Sequence, residues 1–319
     1  MGSIDEATRK YMDDPSRFAD LFNFAAYGGE QVIQADSLRP LDSVSVALPK
    51  RGKKASIERR RDGLKVWQVK SDGRVAYAIL GVENQAEANR AMPVRGMLYD
   101  ALAYQDQVDE LTRKNRKAGG LDRGAILSGL HEDDRLLPVA TIVLHFGAEP
   151  WNGALRLHDL LDGVDNSLLQ LVADYRINLV SPAFIADADF DKFATELGLV
   201  LGYSKYQKDK NALWKFVTAN ERFRNVGSES VGLINLLTDS RIEVAKGKEG
   251  VDMCQAIQDI RQEGVDEGVQ QGVVMALAGL VRDGVLTRAE AASRAGLSQD
   301  EFEARSAELQ NLAHKKDSR

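Results

Sequence analysis

The sequence predicts an α/β fold, a mixed-sheet core over residues 1–150 followed by a helical C-terminal half. Three observations predict it. Residues 17–26 place Phe18, Leu21, Phe22 and Ala25 at helical spacing. Residues 42–85 alternate apolar and polar side chains at strand spacing. Residues 136–146 (LLPVATIVLHF) form a near-continuous β-branched run, the mark of a strand buried on both faces.

The first helix ends at Tyr27-Gly28-Gly29, residues that tolerate left-handed backbone. In the strand region Val44, Val46 and Leu48 alternate with small polar residues, a Pro-Lys-Arg-Gly turn follows, and runs over 57–69 and 74–85 flank Ser71-Asp72-Gly73. A three-strand meander is expected, with Asp72-Gly73 as its clearest hairpin signal. Residues 92–111 return to a helix carrying Val94, Leu98, Leu102 and Val108, and a basic loop is expected over 113–123. The order helix, three strands, helix, buried strand frames the core.

Beyond Pro150-Trp151, amphipathic stretches near 155–162, 189–202, 208–224 and 229–241 predict a helical domain over 151–245. Residues 246–250 (KGKEG) read as a hinge. A C-terminal helical assembly region over 251–319 opens with a long helix to residue 282 and closes with two short ones. Thr287 and Ser298 are N-caps with Glu290 and Glu301 three positions on, as a capping box requires.

At 319 residues the length favours about two domains. With 44% hydrophobic and 28% charged residues, a disordered or collagenous chain is excluded. The longest apolar runs fall far short of the roughly 20 residues that span a bilayer, and the first residues are polar, so a cytoplasmic protein without membrane contact is expected. Cys254 stands alone and the four histidines lack ligand spacing, which argues against disulfides and structural zinc. A formal charge of −6 supplies no global field toward nucleic acid, so any such binding is local.

Two acids carry the candidate chemistry. Asp62 and Glu83 are separated by about the span of two adjacent strands joined at Asp72-Gly73, so their carboxylates can share one ion. Magnesium takes such hard oxygen ligands, with waters and a phosphate completing the octahedron. Gln85, two residues beyond Glu83, projects from the same strand face and is placed to hold an attacking water. The alternative is an ordinary pair of surface charges at a sheet end. Against it, Glu83 directly follows the apolar run 77–82, where an unpaired carboxylate is costly.

The same residues resemble a family. Asp62, Glu83-Asn84-Gln85, Met92-Pro93-Val94-Arg95 and Tyr99-Asp100 are similar to the Rpn family of recombination-promoting nucleases and transposases, within the PD-(D/E)XK nuclease superfamily. The likeness extends to Phe18-Ala19-Asp20-Leu21-Phe22-Asn23, Leu137-Pro138-Val139, Phe146-Gly147, Pro150-Trp151, Gly284-Val285-Leu286-Thr287 and Ala295-Gly296-Leu297-Ser298, nearly the whole chain. It implies a restriction-endonuclease-like core over 1–150 and a magnesium-dependent DNA endonuclease, with manganese as a substitute ion and no organic cofactor. It further implies a link to DNA recombination and mobile-element transfer. Asp62 and Glu83 then ligate the metal, and Gln85 stands where the superfamily usually has lysine. Glutamine supplies no positive charge, so a nearby cation must substitute. Arg95 is the first candidate, its alternative role being partner to a buried carboxylate; Lys65 is the second. Asp20 or Glu30 is a further candidate metal contact.

Lys50, Arg51, Lys53, Lys54, Arg59, Arg60 and Arg61 face only Glu58 in charge, and this cluster running into Asp62 is the candidate grip on DNA phosphates. Its alternative is a solvated hairpin. Gly264, Gly268 and Gly272 recur beside Val265, Val269 and Val273 in the long helix. Three glycines in a helix cost about 1 kcal/mol each relative to alanine, so a close helix neighbour, and a homodimer through residues 251–310, is expected. The two short terminal helices mimic a helix-turn-helix, which offers a DNA-binding regulator as an alternative. Asp300, Glu301, Glu303 and Glu308 against Arg305 make the second helix a poor surface for phosphates. A non-catalytic interaction protein on a nuclease fold is the other alternative. Cys254 reads as inert, His145 as a satisfied core histidine, and Trp67, Trp151 and Trp214 as packing residues.

Overall fold

A computed structural model describes residues 3–41, 46–50, 53–59, 63–71, 74–119, 123–163, 165–244 and 250–317. The chain divides into two compact units, Met1–Asp252 and Met253–Arg319. Among the described residues no helix is long and apolar enough to cross a membrane.

The first unit opens with α1 (Ser3–Met12) and α2 (Pro15–Tyr27). Asp14 caps α2 by accepting from Ser16 N and Arg17 N, Pro15 suits the first turn, and Gly28 ends the helix at φ 64°. Then come β1 (Leu38–Pro40), β2 (Val46–Lys50), β3 (Lys53–Arg59), β4 (Gly63–Ser71) and β5 (Arg74–Gln85). Next are α3 (Met92–Ala118), α4 (Arg123–Ser128), β6 (Val139–His145), α5 (Asn166–Leu169), β7 (Asn178–Val180), α6 (Leu197–Tyr206), α7 (Lys210–Ala219), β8 (Val226–Gly227), α8 (Ser228–Thr238) and β9 (Gly250–Val251).

The sheet has five strands in the order β1-β4-β5-β6-β7, mixed in direction: β4 runs antiparallel to β1 and β5, while β5, β6 and β7 are parallel. The chain is thus α/β with a helical C-terminal half. The strand region departs from the expected meander. The expected run over 57–69 is two strands, β3 and β4, and β2 pairs with β3 in a separate ribbon. β2 and β3, close neighbours in sequence, pair with each other antiparallel, and the sheet takes its third antiparallel strand from Leu38–Pro40 instead. The fifth strand, β7, lies in the region read as helical; it is short, and no alternation marks it. Residues 155–162 hold only a 3-10 turn, Leu157–Leu160. The helix expected to stop at 111 continues to Ala118, where Arg116 and Lys117 in its last turn suit the negative helix end. Asn115 there is buried and donates to Gly129 O and Asp134 Oδ2.

Directly paired residues share a sheet face. Gly63 and Val82 face α2, since a Cβ on Gly63 would meet the Phe18 ring. Glu83 and its partner Val143 face α3. Between sheet and helices the core gathers Phe18, Leu21, Phe22, Leu80, Val82, Leu144 and Phe146. α6 is buried from Leu197 through Ser204, apolar all round as an enclosed helix must be. Residues 151–252 belong to the same compact unit as the sheet. Asp20 accepts from Ala194 N, Thr195 N and Thr195 Oγ1, Ser204 donates to Phe146 O, and Tyr11 bonds Ser230.

The second unit comprises α9 (Met253–Arg282), α10 (Arg288–Ala295) and α11 (Gln299–Asp317) around Val274, Ala291, Ala292 and Phe302. Thr287 and Glu290 form the expected capping box, and Ser298 and Glu301 exchange the same bonds. Along α9, Val265, Val269 and Val273 are exposed, and a Cβ on Gly268 or Gly272 would meet nothing within 4 Å.

Candidate functional site

Glu83 lies near the end of β5, the central strand, flanked by β4 and β6. The apolar residues before it bury that strand, and its carboxylate is 0% exposed. Charge balance comes from α3, the helix that crosses between the parallel strands β5 and β6. Arg95 sets Nη2 3.0 Å from Glu83 Oε2, its own side chain 29% exposed, and its guanidinium lies 5.4 Å from the Tyr99 ring centre. Arg95 therefore reaches from the surface to a carboxylate with no exposure of its own. Of its two expected roles, this is the geometry of partner to a buried carboxylate. A buried pair of this kind costs desolvation that only close contact recovers.

Gln85 follows on the same face as Glu83, half-buried, with Nε2 donating to Asn84 O at 2.8 Å. Asp62, Arg51, Arg60 and Arg61 lie outside the described residues. Lys50 ends β2, and Lys53, Lys54 and Arg59 lie on β3. The ribbon they share is separate from the five-stranded sheet.

Two expectations are corrected. Lys65 does not stand beside Glu83: it pairs with Leu80 on the opposite, α2-facing side of the sheet. Its Nζ donates to Asp13 O at 3.0 Å and lies 5.1 Å from the Phe18 ring centre. Burial pushes its ammonium below the usual lysine range. Asp20 is not placed beside Glu83: it lies on α2, across the sheet from the α3-facing side that carries Glu83, and its carboxylate accepts from residues 194–195. Glu30 is exposed beyond the end of α2.

The sequence reading missed three arrangements near Glu83. Asp100, on α3, accepts from Thr141 Oγ1 on β6 and from Tyr175 Oη, each at 2.6 Å. Tyr175 in turn packs over Gly96, where a Cβ would lie 3.1 Å from its ring. Together these bonds pin the first turns of α3 to the sheet face that carries Glu83. Tyr99-Asp100 was visible as a motif, but its partners lie too far along the chain for spacing to reveal.

The second arrangement surrounds His145, which pairs with Gln85 in the parallel ladder. It is buried as expected, with Nδ1 3.0 Å from Ser181 Oγ and its ring edge-on to Trp151 at 5.5 Å. Burial holds its pKa below the ordinary histidine value, opposed by a hydrogen bond to the Ala86 backbone. The third is a cleft of ≈ 570 Å³ at the exits of β5 and β6, lined among others by Arg90, His145, Gly147, Asn152 and Lys208. Ligands of open α/β sheets enter at such strand ends.

Among the described residues, no group of three or more His, Cys, Asp or Glu side chains is gathered to hold a metal. Glu83 and Gln85 nonetheless put a carboxylate and an amide on one strand face, hard oxygen chemistry that suits magnesium. Comparison with protein-family models, with curated proteins and with solved structures returns no match for this chain.

Proposed function

We propose that this chain is a metal-dependent DNA endonuclease of the PD-(D/E)XK type on a restriction-endonuclease-like core, similar to the Rpn family. The reading rests chiefly on Glu83, a carboxylate with 0% exposure near the end of the central strand, balanced by Arg95 from the crossover helix. An isolated charge there is costly, and a residue with only a packing role is better served by an apolar side chain. The sequence neighbour of Asp62 is Gly63, whose register partner Val82 precedes Glu83. The succession of helix, antiparallel strands, helix and parallel strand also suits a restriction-endonuclease-like core.

In this reading Asp62 and Glu83 hold magnesium, with manganese as a substitute. Bound there, the ion lowers the pKa of water and neutralises charge on the phosphate under attack. Gln85 orients the water through its amide. Arg95 balances Glu83 and carries the positive charge that glutamine lacks at the position of the superfamily lysine. Lys50, Arg51, Lys53, Lys54, Arg59, Arg60 and Arg61 grip DNA phosphates, and a second copy of the chain docks through residues 251–310, giving paired sites for two strands. A role in DNA recombination and a cytoplasmic location belong to the same proposal.

The Glu83–Arg95 pair also favours a second reading, in which the fold is a non-catalytic interaction scaffold and the pair is purely structural. Plasmid nicking separates the two. Asp62→Ala is expected to abolish magnesium-dependent nicking while leaving circular dichroism unchanged. Nicking that persists in the folded variant removes Asp62 from the site and overturns the hydrolytic reading.

A further inference from the structure

The cleft at the exits of β5 and β6 begins one residue beyond Gln85 and is built by three separate segments. Ala86 to Arg90 form the connection from β5 to α3, residues 147–152 follow β6, and Lys208 lies beyond α6. Its volume, ≈ 570 Å³, is that of an ordinary small-ligand site. The floor is fixed. Gly147 presses so closely on the strand exits that a Cβ would lie 2.6 Å from His145 Nε2 and 2.9 Å from Ala86 O. His145 is itself tied to Ser181.

The walls carry the chemistry. Arg90 is an exposed cation on one segment and Lys208 an exposed cation on another. Glu87 and Glu149 also line the cleft, and Glu149 pairs with Lys208. Both members of that pair are largely exposed, 71% and 70%, so the contact contributes little and yields readily to a competing phosphate. Ala88 and Pro150 add small apolar surface beside the amide of Asn152. Two cations from different segments, an amide and an apolar wall suit a ligand that joins a phosphate to a flat heterocycle.

From this lining we infer that the cleft receives a nucleotide, its phosphate taken by Arg90 and Lys208 and its base set against Ala88, Pro150 and Asn152. For the identification of that nucleotide as the one adjoining the scissile phosphate, the inference rests on the nuclease reading; the cleft's ligand chemistry does not. The position follows from the chain: Gln85 ends the strand that carries Glu83, and the next residue lines the cleft.

The test measures binding in EDTA, where metal-dependent hydrolysis does not run, using the 319-residue chain and fluorescein-labelled duplex and single-stranded DNA. Across about 50–200 mM salt, Arg90→Ala and Lys208→Ala are each expected to weaken binding severalfold and to reduce the log–log salt slope by about 1. Arg113→Ala, near the far end of α3, is expected to bind like the parent. Thymidine monophosphate is titrated in parallel. Binding of the mononucleotide alone, lost in Arg90→Ala, identifies a free nucleotide as the occupant and retains the site. Unchanged affinity and slope in both variants, with no mononucleotide binding, overturns the proposal. If the variants lose DNA affinity yet the parent never nicks plasmid in magnesium, the cleft stands and the nuclease reading falls. If the parent nicks but both variants bind DNA normally and no mononucleotide binds, the reverse holds.

Discussion

Replacing Gly147 with alanine adds one methyl group against the residues that end β6 and follow β5. The new carbon would lie 2.6 Å from His145 Nε2, 2.9 Å from Ala86 O and 2.9 Å from His145 Cε1. None of these atoms is the end of a flexible chain. The imidazole is buried, bonded to Ser181 and set edge-on against Trp151, and the carbonyl belongs to the strand exit. Overpacking against such neighbours costs about 2 kcal/mol. For a unit of this size that lowers the melting temperature by roughly 4–8 °C. Gly232→Ala is the matched control: it lies in α8 with nothing within 4 Å of a new Cβ, so alanine is expected to stabilise by about 0.5–1 kcal/mol. Thermal unfolding followed by circular dichroism reads both. A Gly147→Ala protein that melts within a degree of the parent refutes the claim that the strand exits are closed by contact.

Asp20→Ala removes the acceptor for two backbone amides and one hydroxyl from residues 194–195, a loss of about 3 kcal/mol. Melting is expected to fall by roughly 6–12 °C, with manganese binding by electron paramagnetic resonance unchanged; weaker ion binding restores Asp20 to the metal site. Because burial lowers the pKa of folded His145, the unfolded chain binds the extra proton first. Stability is therefore fully present above the ordinary histidine value of about 6.5 and declines as pH falls below it. His145→Gln is expected to flatten that slope in urea titrations across pH, and an unaltered slope contradicts the assignment. Val269→Glu, on the exposed face of α9, is expected to convert a dimer to monomer in sedimentation equilibrium; equal masses for parent and variant remove α9 from any self-association.

Where local signals were strong, the sequence was an adequate guide. Gly28 ends α2, Thr287 with Glu290 and Ser298 with Glu301 set the last two helices, and the β-branched run became β6. The strand ladder was harder, because alternation gives strand identity but not pairing. Two neighbouring segments formed their own ribbon, and three residues at 38–40, too short to show a period, took the vacant edge of the sheet. For the candidate site, strand parity put Glu83 and Gln85 on one face and the helix register brought Arg95 to Glu83. The same parity sent Lys65 to the opposite face. Ser181, Tyr175 and Lys208 were illegible for a different reason: each reaches the strand ends from a segment whose place depends on tertiary packing, and no local pattern encodes that.

Three bonds described above tie early chain to late: Asp20 to Thr195, Phe146 to Ser204 and Tyr11 to Ser230. A nascent polypeptide emerging from the ribosome presents α1 and α2 long before α8, which packs on α1, and α6, which packs on α2, exist. Synthesis of this protein is therefore expected to pass through a sticky, half-covered sheet, and to profit from holding factors until residue 230 clears the exit tunnel.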